Sequence, residues 1–268
     1  MRFKNLQVKI FGRLPDTHIK VLRLTALMEQ EAPPSVERIS CGSAVIDHLL
    51  GGGLEKGVVT TVYGPAGSGK STLCLLALIE VARSGKKVLF IDTEGGFSVE
   101  RMRQLAGDTD ELLTRVIFLR PTNFEEQKKV FEKIRAIKDK DIGLIVVDTI
   151  AMLYRLELGS GDSVYETNRE LGRQISYLTE MTRKYNIPVL ITNQVYSTFD
   201  DREKIKMVGG DILKYWSKCL LEIQIMPESQ RKAVLRKHRS ISELKEAVFE
   251  IKQVGFLSVK TGRGFNLF

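Results

Sequence analysis

The octapeptide Gly64-Pro65-Ala66-Gly67-Ser68-Gly69-Lys70-Ser71 satisfies G-x-x-x-x-G-K-[ST] at every position. Its chemistry is that of an anion grip. The glycines let the backbone curl until successive N–H groups converge on one phosphate, and a helix beginning at the loop adds its positive end. Lys70 is placed to reach the β- and γ-phosphates and the Ser71 hydroxyl to ligate Mg2+, with Thr72 following as a further nucleotide-binding candidate. Asp148 ends the apolar run Leu144-Ile145-Val146-Val147, where a carboxylate can hold the metal directly or through water. Glu94, in Asp92-Thr93-Glu94-Gly95-Gly96-Phe97, can orient and polarise a water for in-line attack on the γ-phosphorus. The bland reading makes Asp92 or Glu94 the N-cap of the next helix. Gln194 carries an amide that can sense the γ-phosphate, so that hydrolysis would cost the loop beyond it an anchor.

These residues need a parallel sheet to bring them to one edge, and the chain supplies its grammar. Val58 to Tyr63 is apolar and β-branched, as a buried strand should be, and Ser71 to Arg83 is a helix rich in Leu and Ala. Strands at Lys87–Asp92, Val116–Leu119, Gly143–Asp148 and Pro188–Thr192 alternate with helices at Phe124–Lys138 and Glu166–Lys184. Near-continuous apolar strands between helices imply right-handed βαβ units and a mostly parallel sheet covered on both faces. In such sheets ligands sit at the carboxyl ends of the strands, which is where Gly64, Glu94, Asp148 and Gln194 fall. After Gly210 the spacing tightens to Cys219–Ile225, Lys232–Arg236 and Ala247–Ile251, which predicts an antiparallel extension of the sheet. The expected fold is therefore α/β.

Ahead of this core, Ala44 to Leu50 is helical and the run Gly51-Gly52-Gly53 stops it. Residues 1–38 form a short extension, with a strand at Val8–Phe11, a helix at Ile19–Gln30 and a linker at Ala32-Pro33-Pro34-Ser35. The core spans 39–268. A content of 43% hydrophobic and 28% charged residues suits one globular domain with a small appendage. The net charge of +8 leaves a polyanion such as nucleic acid and a merely basic surface equally open. Cys41, Cys74 and Cys219 make no C-x-x-C pair, and His18, His48 and His238 are dispersed, so a reducing compartment and no zinc site are expected. Met1 to Phe11 lacks the apolar core of a signal peptide, and no window approaches the ~18 apolar residues of a membrane span. A cytoplasmic location without a membrane partner is expected.

Taken jointly, Ser40-Cys41-Gly42-Ser43, Leu49-Leu50-Gly51-Gly52-Gly53, the phosphate loop, Ile91 to Phe97 with Glu100-Arg101, Val146-Val147-Asp148 and Ile191-Thr192-Asn193-Gln194-Val195 resemble the RecA/RadA recombinase superfamily. The likeness runs from about Ile39 to Phe256, and within the superfamily it is strongest to the short archaeal paralogues. It implies a RecA-like P-loop NTPase core, ATP and Mg2+ as cofactors, and Glu94, Lys70 and Gln194 as the catalytic set. It implies too that Arg101 lies against the adenine; the Arg-Pro pair common in the superfamily after the Phe is here Ser98-Val99, which leaves base stacking to Arg101 alone.

The superfamily's DNA loops map to about Arg155–Tyr165 and Tyr196–Val208. The resulting DNA candidates are Arg155, Tyr196, Phe199, Arg202, Lys204 and Lys206, with single-stranded DNA favoured because the aromatics can stack on bases. A denser basic stretch, Lys218 to Arg239, adds Arg236, Lys237 and Arg239 as phosphate contacts, or else forms a solvated strand face. The expected function is an ATP-binding, slowly hydrolysing recombinase paralogue assisting recombination and repair. Candidate partners are DNA, a RadA-type recombinase or other repair proteins, and further copies of this chain. A KaiC-like signalling ATPase without DNA is the alternative; a small-molecule kinase fits poorly.

Overall fold

The computed structural model describes residues 36–159, 163–198, 201–241 and 245–259, without the side chains of 196–198 and 201–206. The chain divides into two units, Met1–Glu37 and Arg38–Phe268, and every element below belongs to the second. The expected strand at Val8–Phe11 and helix at Ile19–Gln30 lie outside the described residues, as does Phe199.

A two-stranded ribbon of β1 (Arg38–Ile39) and β2 (Leu54–Glu55) brackets α1 (Ala44–Leu49), whose N-cap Ser43 accepts from the Ile46 N–H at 3.4 Å. The main sheet takes β3 (Val59–Gly64), β4 (Lys87–Asp92), β5 (Val116–Leu119), β6 (Ile142–Asp148) and β7 (Val189–Thr198) from the alternating half of the chain. The later segment adds β9 (Cys219–Ile225), β10 (Gln230–His238), β11 (Glu246–Lys252) and β12 (Gly255–Ser258), and β8 (Asp201–Met207) folds back on β7. The order is β12-β11-β10-β9-β3-β7-β6-β4-β5, and β9 through β5 are parallel throughout. Strand β9 joins the parallel half from the later segment, so the antiparallel extension begins only at β10.

The helices follow in chain order as α2 (Lys70–Arg83), α3 (Val99–Ala106), α4 (Asp110–Thr114), α5 (Phe124–Ala136), α6 (Met152–Gly159), α7 (Val164–Tyr185) and α8 (Gly210–Trp216). Alternation along the strands splits the apolar residues between two layers. Leu144 and Val146 of β6 join Val88, Phe90 and Leu190 under α2, whose Leu73, Cys74, Ala77 and Leu78 are buried there. Ile145 and Val147 point the other way, to Phe131 and Ile134 of α5 and to Leu171, Ile175 and Leu178 of α7. All three cysteines are buried free thiols, and Cys74 packs among the apolar residues under α2. Among the described residues no helix is long and apolar enough to cross a membrane.

At the amino-end edge of the sheet, Gly53 has φ +113°, and a Cβ there would stand 2.0 Å from the Ile39 carbonyl oxygen. Only glycine lets the two short strands close this tightly. The ribbon then buries Glu55, whose carboxylate gathers Arg239, Arg38 at 3.9 Å and the Ser240 hydroxyl at 2.9 Å. His238 lies 3.9 Å away, and burial pushes its imidazole below the ordinary range. Glu55→Ala would leave these cations facing a desolvated hole. A loss of about 2 kcal/mol is expected, below the 3–5 typical of fully buried pairs because Arg239 is half exposed; urea unfolding of the purified variant reads it directly.

Candidate active site

Strand β3 ends at Gly64 and helix α2 begins at Lys70, so the loop between them sits at the carboxyl edge of the sheet. Gly69 holds φ +105°, and a Cβ there would lie 2.7 Å from Ile251 Cδ1 and 3.3 Å from Phe256 Cζ. The loop is thus packed directly under the β11–β12 hairpin. Lys70, buried apart from a small fraction, donates from Nζ to the Gly64 and Pro65 carbonyls at 2.9 and 2.8 Å. Burial lowers its pKa, while Asp148 and Glu94 pull the other way. Ser68 Oγ is buried without a partner, a donor turned into the loop. An orphaned hydroxyl inside a ring of glycine peptides is what a bound phosphate would satisfy.

Register brings the remaining groups alongside. Asp92 pairs with Asp148 across β4 and β6, and Gly64 pairs with Gln194 across β3 and β7. Asp148 accepts from Thr192 Oγ1 at 2.5 Å and from the Ser71 hydroxyl. Burial nonetheless holds its carboxyl above the usual range, since those bonds only partly offset the lost hydration. A buried carboxylate hydrogen-bonded to a loop hydroxyl offers the hard oxygen donors that Mg2+ prefers. Glu94 stands exposed at the rim, where its Oε1 accepts from Gln194 Nε2 at 2.8 Å and from Thr149 Oγ1 at 3.3 Å. Partial burial of the carboxyl and the charge of Asp148 raise its pKa. Lys70, Ser71, Asp148, Glu94 and Gln194 therefore converge, although they come from four separate elements.

Neither Asp92 nor Glu94 caps a helix. Asp92 instead accepts from the Gly96 and Phe97 N–H groups at 3.2 and 3.1 Å, bending the chain after β4. The cap of α3 is Ser98, whose hydroxyl accepts from the Arg101 N–H at 3.0 Å. The serine that breaks the superfamily's Arg-Pro pattern thus has a local role. Arg101 itself donates to the Lys252 and Gln253 carbonyls at 2.7 and 3.3 Å, so its guanidinium is fixed against the β11–β12 turn. Sequence reasoning missed Thr149, Thr192 and Arg231; the last donates to the Gly67 carbonyl from Nε and NH2 at 3.2 and 3.0 Å. No local pattern marks an arginine more than a hundred residues from the loop it touches.

The candidate DNA residues are less well united. The expected loop at Arg155–Tyr165 is replaced at both ends by helix: Arg155 is exposed on α6 and Tyr165 lies in the first turn of α7. Apolar Leu153 and Tyr154 are buried against α7, which extends helical pairing into the segment. The expected loop at Tyr196–Val208 is largely a hairpin, in which Tyr196 pairs with Lys206 and Val195 with Met207. Arg202, Lys204 and Lys206 lie along its second strand. Its root is held by Asn193 Nδ2 on the Val208 carbonyl at 2.8 Å and by the Val208 N–H on the Gln194 carbonyl at 3.3 Å. The later basic stretch is not a row of free cations. Arg236 Nε meets the buried Glu222 carboxylate at 2.6 Å, Arg239 meets Glu55, and Lys237 Nζ donates to the Lys214 carbonyl at 2.7 Å. Buried carboxylates on β9 and β2 take up the charges of Arg236 and Arg239, and a helix carbonyl holds Lys237, pairings that composition alone cannot reveal.

The Rad51 family profile matches residues 34–259. DNA repair and recombination protein RadB of Methanobrevibacter smithii is 42% identical over 219 residues, covering 79% of this chain and 92% of the relative. The RadB of Methanococcus maripaludis is 43% identical over 215 residues, covering 79% and 96%. The crystal structure of the RadB recombinase superposes with a TM-score of 0.70 at 38% identity, covering 83% of this chain and all of that one.

Proposed function

This chain belongs to the Rad51 family, and on that premise we propose that it is a RecA-family recombinase paralogue that binds ATP and single-stranded DNA and assists homologous recombination and repair. The observation that carries the reading is the 2.8 Å hydrogen bond from Gln194 to Glu94. It joins the carboxylate best placed to activate water to the strand from which the β7–β8 hairpin springs.

In the proposed cycle, the loop from Gly64 to Ser71, with Thr72 at the start of the helix, grips the phosphates, and Lys70 exchanges its two carbonyl partners for phosphate oxygens. Ser71 and Asp148 would hold Mg2+, which when bound neutralises charge developing on the transferred phosphoryl group. Glu94 accepts the proton of the attacking water. Gln194 leaves Glu94 for the γ-phosphate and returns to it after hydrolysis, moving the root of the hairpin that carries Tyr196, Arg202, Lys204 and Lys206. Arg101, braced by the β11–β12 turn, supports the base. Residues 39–268 perform this work, and residues 1–38 are an extension to it. Turnover is slow and Mg2+-dependent, the location is cytoplasmic, and a RadA-type recombinase and further copies of the chain are the protein partners.

ATP hydrolysis by the purified chain, with and without single-stranded DNA, tests the reading. Binding should weaken as salt rises, with log K falling by about 0.7 per phosphate contacted for each decade of salt. A flat salt response, or ATP turnover indifferent to saturating DNA, would leave an ATPase without a DNA role.

A further inference from the structure

We propose that Arg231 is a positioning residue for the phosphate loop, setting the orientation of the Gly67–Ser68 peptide from the antiparallel extension. The inference rests on the triphosphate reading above. The loop is anchored at both ends but not at its apex. A Cβ on Gly64 would stand 2.2 Å from the Ile223 carbonyl oxygen, and Gly69 is packed under Ile251 and Phe256. At Gly67, by contrast, no heavy atom beyond the glycine and its two chain neighbours lies within 4 Å of where a Cβ would be. What reaches this exposed apex is the Arg231 guanidinium, with Nε and NH2 both on the Gly67 carbonyl at 3.2 and 3.0 Å.

The other side of the fork is equally fixed. NH1 donates to the Ser229 and Gln230 carbonyls at 3.0 and 2.9 Å, so every hydrogen-bond partner of Arg231 among the described residues is a backbone oxygen. Those oxygens belong to the β9–β10 turn, where Glu228 and Ser229 hold φ of +57° and +58°. Two successive left-handed residues that are not glycine are a costly way to build a turn. The Gln230 N–H closes it on the Pro227 carbonyl at 3.2 Å. This turn aims its carbonyls at the guanidinium and the guanidinium at the loop.

The consequence follows from peptide planarity. A trans peptide points its C=O and the next N–H in opposite directions. With the Gly67 carbonyl drawn outward to Arg231, the Ser68 N–H must face the loop interior. There it donates to the Pro65 carbonyl at 3.3 Å, the oxygen that Lys70 also contacts. A phosphate oxygen arriving beside Lys70 meets that N–H already aimed, and a fixed positive charge lies behind it. Lysine cannot substitute, because a single ammonium lacks the planar fork that bridges turn and loop.

The test is titration calorimetry of Mg-ATP and Mg-ADP against the full chain, with thermal melts and steady-state kinetics in parallel. Arg231→Ala and Arg231→Lys should each weaken both nucleotides about tenfold. KM should rise with kcat retained, and the melting temperature should stay within about 2 °C of wild type, since the site is on the surface. Full rescue by lysine would show that charge alone matters and overturn the positioning role. Affinity within twofold of wild type in Arg231→Ala would overturn the inference while leaving the nucleotide site intact. A melting temperature that collapses in step with affinity would make Arg231 a structural residue and overturn it as well. Failure of wild type itself to bind Mg-ATP would overturn the triphosphate reading and this inference with it.

Discussion

Lys70→Ala is expected to weaken Mg-ATP binding by at least about 100-fold and to remove turnover. The ammonium is buried at the mouth of a loop whose other donors are backbone N–H groups and the uncharged hydroxyls of Ser68 and Ser71, so no second side chain of the loop can replace its charge. Its carbonyl partners, Gly64 and Pro65, are part of the loop itself, so in the variant they lose a bridging donor as well. The fold should survive, because the apolar face of α2 beyond Lys70 is untouched. Equilibrium dialysis with labelled ATP, alongside a melting curve, separates the two effects. Retained affinity in a folded variant would move the triphosphate away from this loop.

Glu94→Gln is expected to reduce kcat by about 100- to 10,000-fold with little change in ATP affinity. Gln keeps the size of the side chain and can still bond Gln194 and Thr149, but it cannot take a proton. The pH profile provides a second readout. Glu94 must be ionised to act, so activity is present above its pKa and lost as pH falls through it. Partial burial and the Asp148 charge raise that pKa, so the acid limb should begin above the ordinary glutamate range. The same shift means that the ionised form is disfavoured by the fold, so neutralising it with Gln should not reduce stability at neutral pH. Unchanged single-turnover hydrolysis in Glu94→Gln would pass the water-activating role to another group.

Several elements were legible because their signals are local. The run Leu144 to Val147 is apolar at consecutive positions, so only a strand buried on both faces accommodates it, and β6 is that strand. Cys219–Ile225 has the bounds expected, since its ends are marked by Ser217-Lys218 and by Met226-Pro227. Other elements were missed or cut short for reasons equally physical. Helix α3 carries four charged or amide residues between Val99 and Ala106, so its single buried residue, Met102, gives almost no period to find. Strand β7 runs six residues past Thr192 because β8 pairs with it, a pairing that no residue pattern announces.

The glycine loop from Gly64 to Ser71, the carboxylates Glu94 and Asp148, the amide Gln194 and the sheet edge they share are all readable along the chain. Those follow from short-range rules: a glycine pattern, apolar runs and the polarity of parallel strands. Which of these groups touch depends on how the strands are ordered in the sheet. The bond between Gln194 and Glu94 spans 100 residues, and it exists because β7, β6 and β4 are neighbours in the sheet. The same applies to charge. Arg236 and Arg239 look like a basic face in the sequence, yet Glu222 and Glu55 neutralise them. Arg231, seemingly another member of that face, is directed onto the loop. A cation's role depends on the counter-charge and carbonyls that packing brings to it, and strand pairing, not spacing along the chain, chooses them.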